Sequence, residues 1–313
     1  MQSFIIKRLL SVIPVVFIVL TTVFLLLHIG PGDPAALIAG ENASRTQIEE
    51  IRQRLMLDRP LLEQFLIYLR NVTSLNFGES VYSGFPVGML ILQRVEPTAL
   101  LALYTMTISV LISIPMGVWA AWRAGTTLDR TLVIASVIGF SVPVFVIGYA
   151  LVDLFALRLR WFPVQGYKPL SGGFLASVTS LTLPAVTLAF LFSALLARIT
   201  RATMLEVLSE DYIRTARAKG ARNGRVLIVH ALKNIGVPVV TVIGTSFAAL
   251  LGGVVITESV FNIPGMGRLT VDAILNRDYP VVQGVLITFS FVLIGINLLV
   301  DLSYALFDPR VRQ

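Results

Sequence analysis

The sequence predicts an all-α integral membrane protein of about six transmembrane helices. Hydrophobic residues make up 56% of its 313 residues and charged residues 14%, whereas soluble domains carry about 25% charged residues. A helix needs about 20 apolar residues to cross the hydrocarbon core of a bilayer. Six stretches meet that length, at 9–28, 98–122, 131–156, 181–200, 235–257 and 281–306.

The first stretch is predicted to stay in the membrane and not to be removed as a signal peptide. Its apolar run from Leu9 to Leu27 is longer than the usual core of a signal peptide. The sequence Pro31-Gly32-Asp33-Pro34 follows it in place of a small-residue cleavage site. We therefore expect a retained membrane anchor.

Basic residues set the orientation that we predict for these helices. The net charge is +7, and loops rich in Lys and Arg stay on the cytoplasmic side. If both termini are cytoplasmic, the inside segments hold more basic residues than the short outside loops. The inside residues are Lys7, Arg8, Arg123, Arg130, Arg198, Arg201, Arg214, Arg217, Lys219, Arg222, Arg225, Lys233, Arg310 and Arg312, and the outside ones are Arg158, Arg160, Lys168, Arg268 and Arg277. We expect contact with lipid headgroups and no nucleic-acid partner.

The segment 30–97 is predicted to contain short amphipathic helices outside the membrane. Apolar residues recur at helical spacing from Thr46 to Arg70, and Thr46 with Glu49 has the pattern of a capping box. Pro60 divides this pattern into two helices. Their apolar faces predict contact with the external membrane surface or with a partner.

The chain lacks the residues that an enzyme or a metal site would need. It has no cysteine and two histidines, His28 and His230, neither with companions at metal-ligand spacing. It also has no G-x-x-x-x-G-K-[ST] phosphate loop, so ATP hydrolysis would have to occur on a separate subunit. We expect no catalytic residue, no metal and no cofactor, and we place His28 at a membrane interface.

Ionisable residues within spans are candidates for transport chemistry, because a charge at the bilayer centre is costly. Asp153, Glu258 and Asp301 all lie near the ends of predicted spans. Asp153 is expected to pair with Arg158 or to be solvated, and Asp301 to bond a neighbouring helix or Tyr304. The lack of a deeper acid argues against a proton-coupled carrier.

Prolines and glycines within the spans predict kinked and closely packed helices. Proline removes a backbone hydrogen bond, and small residues let two helices approach each other. Such positions suit a pathway that opens alternately on two sides, although ordinary helix packing also explains each of them. They are Pro115, Gly117, Pro143, Gly148, Pro184, Gly252 and Gly253.

The loop between the fourth and fifth stretches is predicted to contain a helix from Tyr212 to Asn223. Glu210 and Asp211 stand at its start, where the helix dipole favours acids, and Gly224 is placed to end it. A small, shallow face would hold Tyr212, Ile213, Ala216 and Gly220, and the opposite face Arg214, Arg217, Arg222 and Arg225. Such a helix fits either a groove on a partner protein or anionic lipid headgroups.

Short motifs are distributed over nearly the whole chain. The loop carries Ser-Glu-Asp-Tyr-Ile-Arg-Thr-Ala-Arg-Ala-Lys-Gly at 209–220, then His-Ala-Leu-Lys-Asn at 230–234 and Pro238. The others are Lys7-Arg8-Leu9-Leu10, Gly32-Asp33-Pro34, Phe77-Gly78-Glu79-Ser80, Glu-Ser-Val-Phe-Asn-Ile-Pro-Gly-Met-Gly-Arg at 258–268, Arg277-Asp278-Tyr279-Pro280 and Asp308-Pro309-Arg310. In this order and spacing they resemble the permease subunits of the dipeptide/oligopeptide (glutathione-like) family of type I ABC importers.

The loop departs from the E-A-A-x-x-x-G pattern of the wider ABC-importer superfamily. Aligned on Gly220, the glutamate falls at Arg214 and the first alanine at Thr215, while Ala216 matches. The later proline falls at Lys233. The peptide subgroup shares these departures, so an ATPase contact that depends on that glutamate is not carried over.

The resemblance implies a type I ABC importer permease fold in the inner (cytoplasmic) membrane and the import of peptides driven by ATP. The implied partners are a second homologous permease, two ATP-binding subunits, an external solute-binding protein, the peptide substrate and the lipid bilayer. Nickel or another non-peptide solute remains an alternative cargo within the family. A secondary carrier that works without ATPase subunits is the alternative from another class.

The resemblance also implies two candidate sites. The first is a coupling helix within 209–226 that contacts an ATPase through Asp211, Tyr212, Arg214, Thr215, Ala216, Arg217, Ala218, Lys219 and Gly220. The second is an external motif of Glu258, Phe261, Pro264, Gly265, Gly267, Arg268, Asp278, Tyr279 and Pro280. The external segments 40–97 and 259–280 would receive the binding protein. The expected domains are 1–97, a permease domain 98–306 with the coupling loop 201–234, and a tail 307–313.

Overall fold

The computed structural model describes residues 2–29, 33–40 and 43–307, without the side chains of 2–7, Leu37 and 305–307. Within these ranges the chain is helical and contains no β-strand. Pro31, Gly32 and the end of the chain, 308–313, on which parts of the predicted motifs fall, lie outside the described residues.

The described helices include long apolar segments and short connecting ones. They are α1 (Gln2–Ile29), α2 (Pro34–Ala39), α3 (Arg45–Arg54), α4 (Leu61–Thr73), α5 (Val87–Trp122), α6 (Thr127–Ser141), α7 (Val144–Leu151), α8 (Phe174–Ser209), α9 (Asp211–Ala218), α10 (Asn223–Arg225), α11 (Gly236–Val260), α12 (Met266–Leu275) and α13 (Tyr279–Phe307). Two π-helical segments, Val152–Arg158 and Val226–Ala231, follow α7 and α10, and a 3-10 turn, Leu170–Gly172, precedes α8.

Five of these helices are long and apolar enough to cross a membrane, namely α1, α5, α8, α11 and α13. A bent pair, α6 with the segment from Val144 to Arg158, makes six if it counts as one span. The predictions of an all-α protein and of about six spans are therefore confirmed for the described residues. Helix α8 continues to Ser209, so the connecting loop begins later than the predicted position 201.

The third predicted stretch, 131–156, is not one straight helix. α6 and the segment that follows it are bent by 101° relative to each other. Pro143 lies at the break, immediately before α7, where its missing N–H interrupts no helical hydrogen bond. The apolar pattern continues across the break, and the kink predicted at Pro143 is confirmed by this bend.

The chain divides into two compact units. Unit 1 holds Pro97–Pro264 with parts of the first and last helices, and unit 2 holds Ile6–Glu96 and Gly265–Ile294. In unit 1, α5, α8 and α11 pack through the fully buried side chains of Leu101, Leu188 and Leu250. Between helices in a bilayer, such contacts stabilise by close packing and not by removal from water.

Small residues bring helices of unit 1 close together at several positions, which include the predicted Gly117 and Gly148. A Cβ atom on Gly117 of α5 would lie 2.7 Å from the Ala197 carbonyl oxygen of α8. A Cβ atom on Gly148 would lie 3.3 Å from the Phe261 ring. Gly252 differs, because no described atom lies within 4 Å of its Cβ position apart from its own helix. The predicted close packing is therefore confirmed at Gly117 and Gly148 and is wrong at Gly252.

Unit 2 packs α1, α4 and α13 around the buried side chains of Leu20, Val23, Val72 and Ile287. His28, in the last turn of α1, places its Nε2 3.0 Å from Gln64 Oε1 of α4. This pair links the end of a membrane-length helix to the first long helix of the connecting segment.

The two amphipathic helices predicted on either side of Pro60 are α3 and α4, so this prediction is confirmed. The capping box of α3, however, is formed by Ser44 with Gln47 and not by Thr46 with Glu49. Gln47 Oε1 accepts the Ser44 N–H at 2.8 Å, and Ser44 Oγ accepts the Gln47 N–H at 3.3 Å. Both pairs have the same spacing, so the pattern alone does not distinguish them.

Polar contacts also connect the helices of unit 1. Asp153 pairs with Arg158 at 2.8 Å, as predicted. The Tyr304 hydroxyl lies 2.8 Å from Thr241 Oγ1, which joins α13 to α11. An unpredicted ion pair joins α6 to α8, where Arg201 Nη2 donates to Oδ2 of the buried Asp129 at 2.7 Å.

Candidate functional site

The predicted loop helix is present as α9, and it is shorter than predicted. It ends at Ala218 and not at Asn223. Glu210 alone separates it from α8, and Glu210 N–H donates to the Val207 carbonyl at 3.2 Å. Because Glu210 alone, in an extended conformation, separates the two helices, α9 begins directly beside the end of α8.

Gly220, not Gly224, ends this helix. Gly220 has φ +80°, a left-handed conformation that glycine adopts without strain. Its N–H donates to the Arg217 carbonyl at 2.9 Å, and the Ala221 N–H donates to the Ala216 carbonyl at 3.1 Å. These two bonds form a Schellman motif, which satisfies the last carbonyls of the helix. The prediction for Gly224 is wrong because Gly220 already supplies the terminating conformation, and Gly224 lies in α10.

One side chain anchors α9 to the rest of unit 1. Ile213 is fully buried in a cluster with Met204 of α8, with Val226 and Ala231 of the π-helical segment, and with Ile235 before α11. The face that carries Ile213 therefore packs on this chain itself. Four apolar residues of the same unit cover Ile213, so this member of the predicted small face is not exposed.

The exposed face of α9 is a polar stripe. Asp211, Arg214, Thr215 and Ala218 follow the spacing of one helix face, and all four are exposed. Arg214 Nη1 lies 3.2 Å from Asp211 Oδ1, and these side chains are 73% and 94% exposed. Lys219 and Gly220 continue the exposed surface beyond the helix end, whereas Ala216 is half-buried. This stripe is the exposed polar surface of α9.

Two further contacts hold the sides of α9. The Tyr212 hydroxyl accepts a hydrogen bond of 3.0 Å from Asn234 Nδ2, close to the start of α11. Burial raises the pKa of Tyr212, so its phenol stays neutral at physiological pH. The Arg217 guanidinium lies over the Trp122 ring at the end of α5, 5.6 Å from its centroid. The helix is thus tied to α5, α8 and the region before α11.

The first half of the external motif is built into the core of unit 1. Glu258 is fully buried at the end of α11 and accepts a hydrogen bond of 2.6 Å from Thr98 Oγ1 of α5. The Phe261 ring is buried, and its carbonyl accepts the Gly166 N–H at 2.9 Å. Pro264 is exposed. Glu258 and Phe261 are therefore structural anchors and not surface groups.

The second half of the motif lies in unit 2. Asp278 is buried and accepts hydrogen bonds from Ser80 Oγ and from the Val81 N–H, the latter at 3.2 Å. Two motifs far apart in sequence thus meet at one carboxylate. Gly265 and Gly267 are buried at the start of α12, Tyr279 and Pro280 are half-buried at the start of α13, and Arg268 lies 3.9 Å from Asp272.

Sequence reasoning missed the partners of these residues, among them Trp122 for Arg217, Thr98 for Glu258, Asn234 for Tyr212 and Ser80 for Asp278. Trp122 is half-buried at the end of α5, and Asn234 lies in a motif that the sequence marks, but nothing in the spacing identifies what they contact. Among the described residues no group of three or more His, Asp or Glu side chains could hold a metal ion.

Two family models match the chain. The model described as "Binding-protein-dependent transport system inner membrane component" matches residues 113–313. The model described as "Binding-prot-dependent transport system membrane comp, N-term" matches residues 1–86. Together they cover both units apart from the part of α5 between 87 and 112.

Two similar proteins match over the full chain. A "Probable peptide ABC transporter permease protein" of Sinorhizobium fredii is 54% identical over 312 residues, which is 100% of this chain and 100% of the relative. A "Glutathione transport system permease protein" of Escherichia coli K12 is 43% identical over 312 residues, which is 100% of this chain and 99% of the relative.

Proposed function

Because this chain belongs to the family of binding-protein-dependent transport system inner membrane components, we propose that it is the peptide-translocating permease of an ATP-driven importer. It is a multi-pass permease subunit of the inner membrane, and its family implies ATPase and binding-protein subunits as partners. The complete transporter holds this chain, a second homologous permease, two ATP-binding subunits and one external solute-binding protein. Both termini of the chain face the cytoplasm.

The attachment of α9 is the observation that carries this function. The helix has one buried anchor, Ile213, and a stripe of exposed polar residues on its other side. It is joined to α8 through a single residue and to α5 through Arg217 and Trp122. A displacement of α9 therefore moves the ends of membrane-length helices with it.

We assign α9 as the coupling helix that contacts an ATP-binding subunit. Asp211, Arg214, Thr215, Ala218 and Lys219 supply the contact surface, because they form one exposed face of the helix and the exposed end beside it. Ala216, Arg217 and Gly220 hold the helix in place, and Tyr212 does so through Asn234. When the ATPases close around ATP, they favour one of the two conformations of the permease. Helix α9 transmits this preference to α5 and α8.

The cargo is a peptide. The support is the likeness over the full chain to one protein named for peptide transport and to another named for glutathione, itself a small peptide. The external segments 40–97 and 259–280 receive the binding protein. The bond between Ser80 and Asp278 holds parts of both segments together within unit 2.

Uptake into proteoliposomes tests this function. The purified chain is reconstituted alone and together with the second permease and the ATP-binding subunits of its transporter, and a radiolabelled dipeptide is supplied with the binding protein. We expect accumulation only in vesicles that hold the ATPases and ATP. Accumulation against a gradient by the chain alone would show a secondary carrier instead.

A further inference from the structure

The π-helical segment between α10 and α11 has a buried side and an exposed side. Residues five positions apart are hydrogen-bonded in a π-helix and lie on nearly the same side of it. Val226 and Ala231 have this separation, and both are fully buried. Ile228 and Val229 lie halfway between them, so they are on the opposite side, and 67% and 52% of their surfaces are exposed. Two large apolar side chains of this segment therefore face away from the protein.

The buried side of the segment packs against the ends of membrane-length helices. Val226 and Ala231 belong to one apolar cluster with Ala121 of α5 and Val239 of α11. Ala121 is next to the last residue of α5, and Val239 lies in the first turn of α11. Both helices are long and apolar enough to span a membrane. The segment therefore lies at the level where they enter the bilayer, which is the boundary between headgroups and acyl chains.

The exposed apolar pair faces away from α9. Ile213, the buried anchor of α9, belongs to the same cluster as Val226 and Ala231, so α9 packs on the buried side of the segment. The exposed polar stripe of α9 lies on the side of that helix away from Ile213. The stripe and the apolar pair thus face in different directions, which favours a separate partner for the pair.

Unpaired basic residues flank the apolar pair. Arg222 and Arg225 precede it, Lys233 follows it, and all three side chains are exposed. Arg225 and Lys233 each stand four positions from Val229, about one helical turn, so they share its surface. Within the described residues none of these three cations forms an ion pair, and the stretch 212–257 contains no Asp or Glu. The surface therefore carries positive charge that this chain does not neutralise.

The combination of charge, apolar exposure and depth indicates which partner covers this surface. Exposed arginines alone would suit many anions. Exposed Ile and Val side chains at the boundary of a membrane suit acyl chains, and basic residues beside them suit the anionic headgroups to which such chains are attached. A guanidinium can also bind a phosphate group with two parallel hydrogen bonds.

We propose that the segment 222–233 binds anionic phospholipids in the leaflet beside α9. Ile228 and Val229 contact the upper parts of the acyl chains, and Arg222, Arg225 and Lys233 bind the phosphate groups. The depth of the segment follows from contacts within this chain. Only the identity of the leaflet, the cytoplasmic one, rests on the proposed function of α9 as the coupling helix.

Lipid binding by the full chain tests this proposal. Native mass spectrometry in detergent compares phosphatidylglycerol, which is anionic, with phosphatidylcholine of the same acyl chains. We expect tighter binding of phosphatidylglycerol. Each Lys or Arg at a membrane surface strengthens binding to anionic lipid about fivefold. Arg222→Gln combined with Arg225→Gln should therefore weaken phosphatidylglycerol binding about 10- to 30-fold and leave phosphatidylcholine binding unchanged.

Arg160→Gln combined with Lys168→Gln is the matched control. Both residues are exposed and precede α8, whereas the segment 222–233 follows that helix of 36 residues. This variant loses the same net charge and should bind phosphatidylglycerol like the original chain. Equal losses in the two double variants would reduce the effect to net charge and overturn the proposal. Equal affinity of the original chain for the two lipids would overturn it as well.

Fluorescence quenching locates the apolar pair independently. The chain has no cysteine, so Ile228→Cys carries a single fluorophore in vesicles of phosphatidylcholine and phosphatidylglycerol that contain nitroxide-labelled lipid. We expect strong quenching at position 228 and little at position 215, when Thr215→Cys carries the fluorophore on the stripe of α9. The quenching at 228 should persist after the ATP-binding subunits are added. No quenching there, or its loss on their addition, would show that lipid does not cover this face.

The lipid site and the proposed function can fail separately. Neither measurement on the chain alone requires transport, so the absence of phosphatidylglycerol binding would leave the proposed permease function untouched. Failure of ATP-driven uptake would likewise leave the lipid site untouched, because the depth and charge of the segment do not depend on a transported solute.

Discussion

The guanidinium of Arg217 lies 5.6 Å from the centroid of the Trp122 ring. This contact connects α9, a short helix with an exposed polar face, to the last residue of α5, a helix long enough to span a membrane. Cation–π contacts at exposed positions stabilise by about 0.5–1 kcal/mol. The contact is therefore too weak to hold the fold, but it is placed to transmit a displacement of α9.

Arg217→Ala and Trp122→Leu should each reduce ATP-linked uptake about two- to fivefold, the range that corresponds to the loss of one such contact. Because the two residues act through one contact, the double variant should lose little more than either single one. The neighbouring pair Arg123 and Trp119, 5.7 Å apart, is the control. It does not involve α9, so Arg123→Ala should leave uptake unchanged. If the double variant lost as much uptake as the two single variants combined, the two residues would not act through a shared contact.

Gly220 should tolerate asparagine and not valine. Its φ of +80° lies in the region that asparagine adopts with little strain, whereas a β-branched residue is strained there by about 1–2 kcal/mol. No described atom of this chain lies within 4 Å of its Cβ position, so an internal clash is not the cause. Gly220→Val should therefore unfold at a lower temperature and support less ATP-linked uptake than Gly220→Asn. Gly224→Ala, in α10, serves as the control.

Gly220→Asn could abolish uptake as completely as Gly220→Val without changing its own thermal transition. In that case the role of Gly220 in ending the helix would not explain the loss of uptake. The added side chain would then disturb the contact with the ATPase itself. Membrane insertion should be intact in all three variants, since none of them changes a predicted span.

Ser80→Ala should destabilise unit 2 by about 1.5–3 kcal/mol, the usual contribution of a hydrogen bond to a charged group. Asp278 is buried, and in this variant it would lose the hydrogen bond from the Ser80 hydroxyl and keep the one from the Val81 N–H. A lower thermal transition in detergent is the expected observation. Thr73→Ala is the matched control, because Thr73 is exposed and its hydroxyl donates to the Arg70 carbonyl of its own helix. Equal transitions for both variants would contradict this role of Asp278.

Cysteines at positions 219 and 60 should react with impermeant reagents from opposite sides of the membrane. The chain has no cysteine of its own, so single-cysteine variants have no background. Lys219 and Pro60 are both exposed. In oriented vesicles, Lys219→Cys should react from the cytoplasmic face and Pro60→Cys from the external face. Labelling of both from one face would overturn the predicted topology.

The sequence predicts the helices of this protein better than their ends and contacts. Runs of apolar residues identify the long helices because a bilayer requires about 20 such residues in succession. The same runs continue across the bend between α6 and α7, where Pro143 predicts a kink but does not give its angle of 101°. The capping box of α3 is displaced by two residues because Ser44 with Gln47 and Thr46 with Glu49 satisfy the same pattern.

The candidate site could be located from its motif, but its orientation could not. Periodicity places Ile213 on the small face of the helix, and it does not reveal that Met204 and Val226 already cover that face. The bond from Ser80 to Asp278 joins residues 198 positions apart. Pairing at such separation depends on the folded chain, and a single sequence does not encode it in any local pattern.

Cross-linking from α9 tests the central claim most directly. Thr215→Cys places the one cysteine of the chain on the exposed stripe, and it carries a photoactivated cross-linker in membranes that contain the assembled transporter. We predict an adduct with the ATP-binding subunit whose yield changes when ATP is bound, and none from Tyr82→Cys, which is exposed in unit 2. No adduct from Thr215→Cys, or an adduct whose yield ignores ATP, would contradict the assignment of α9 as the coupling helix.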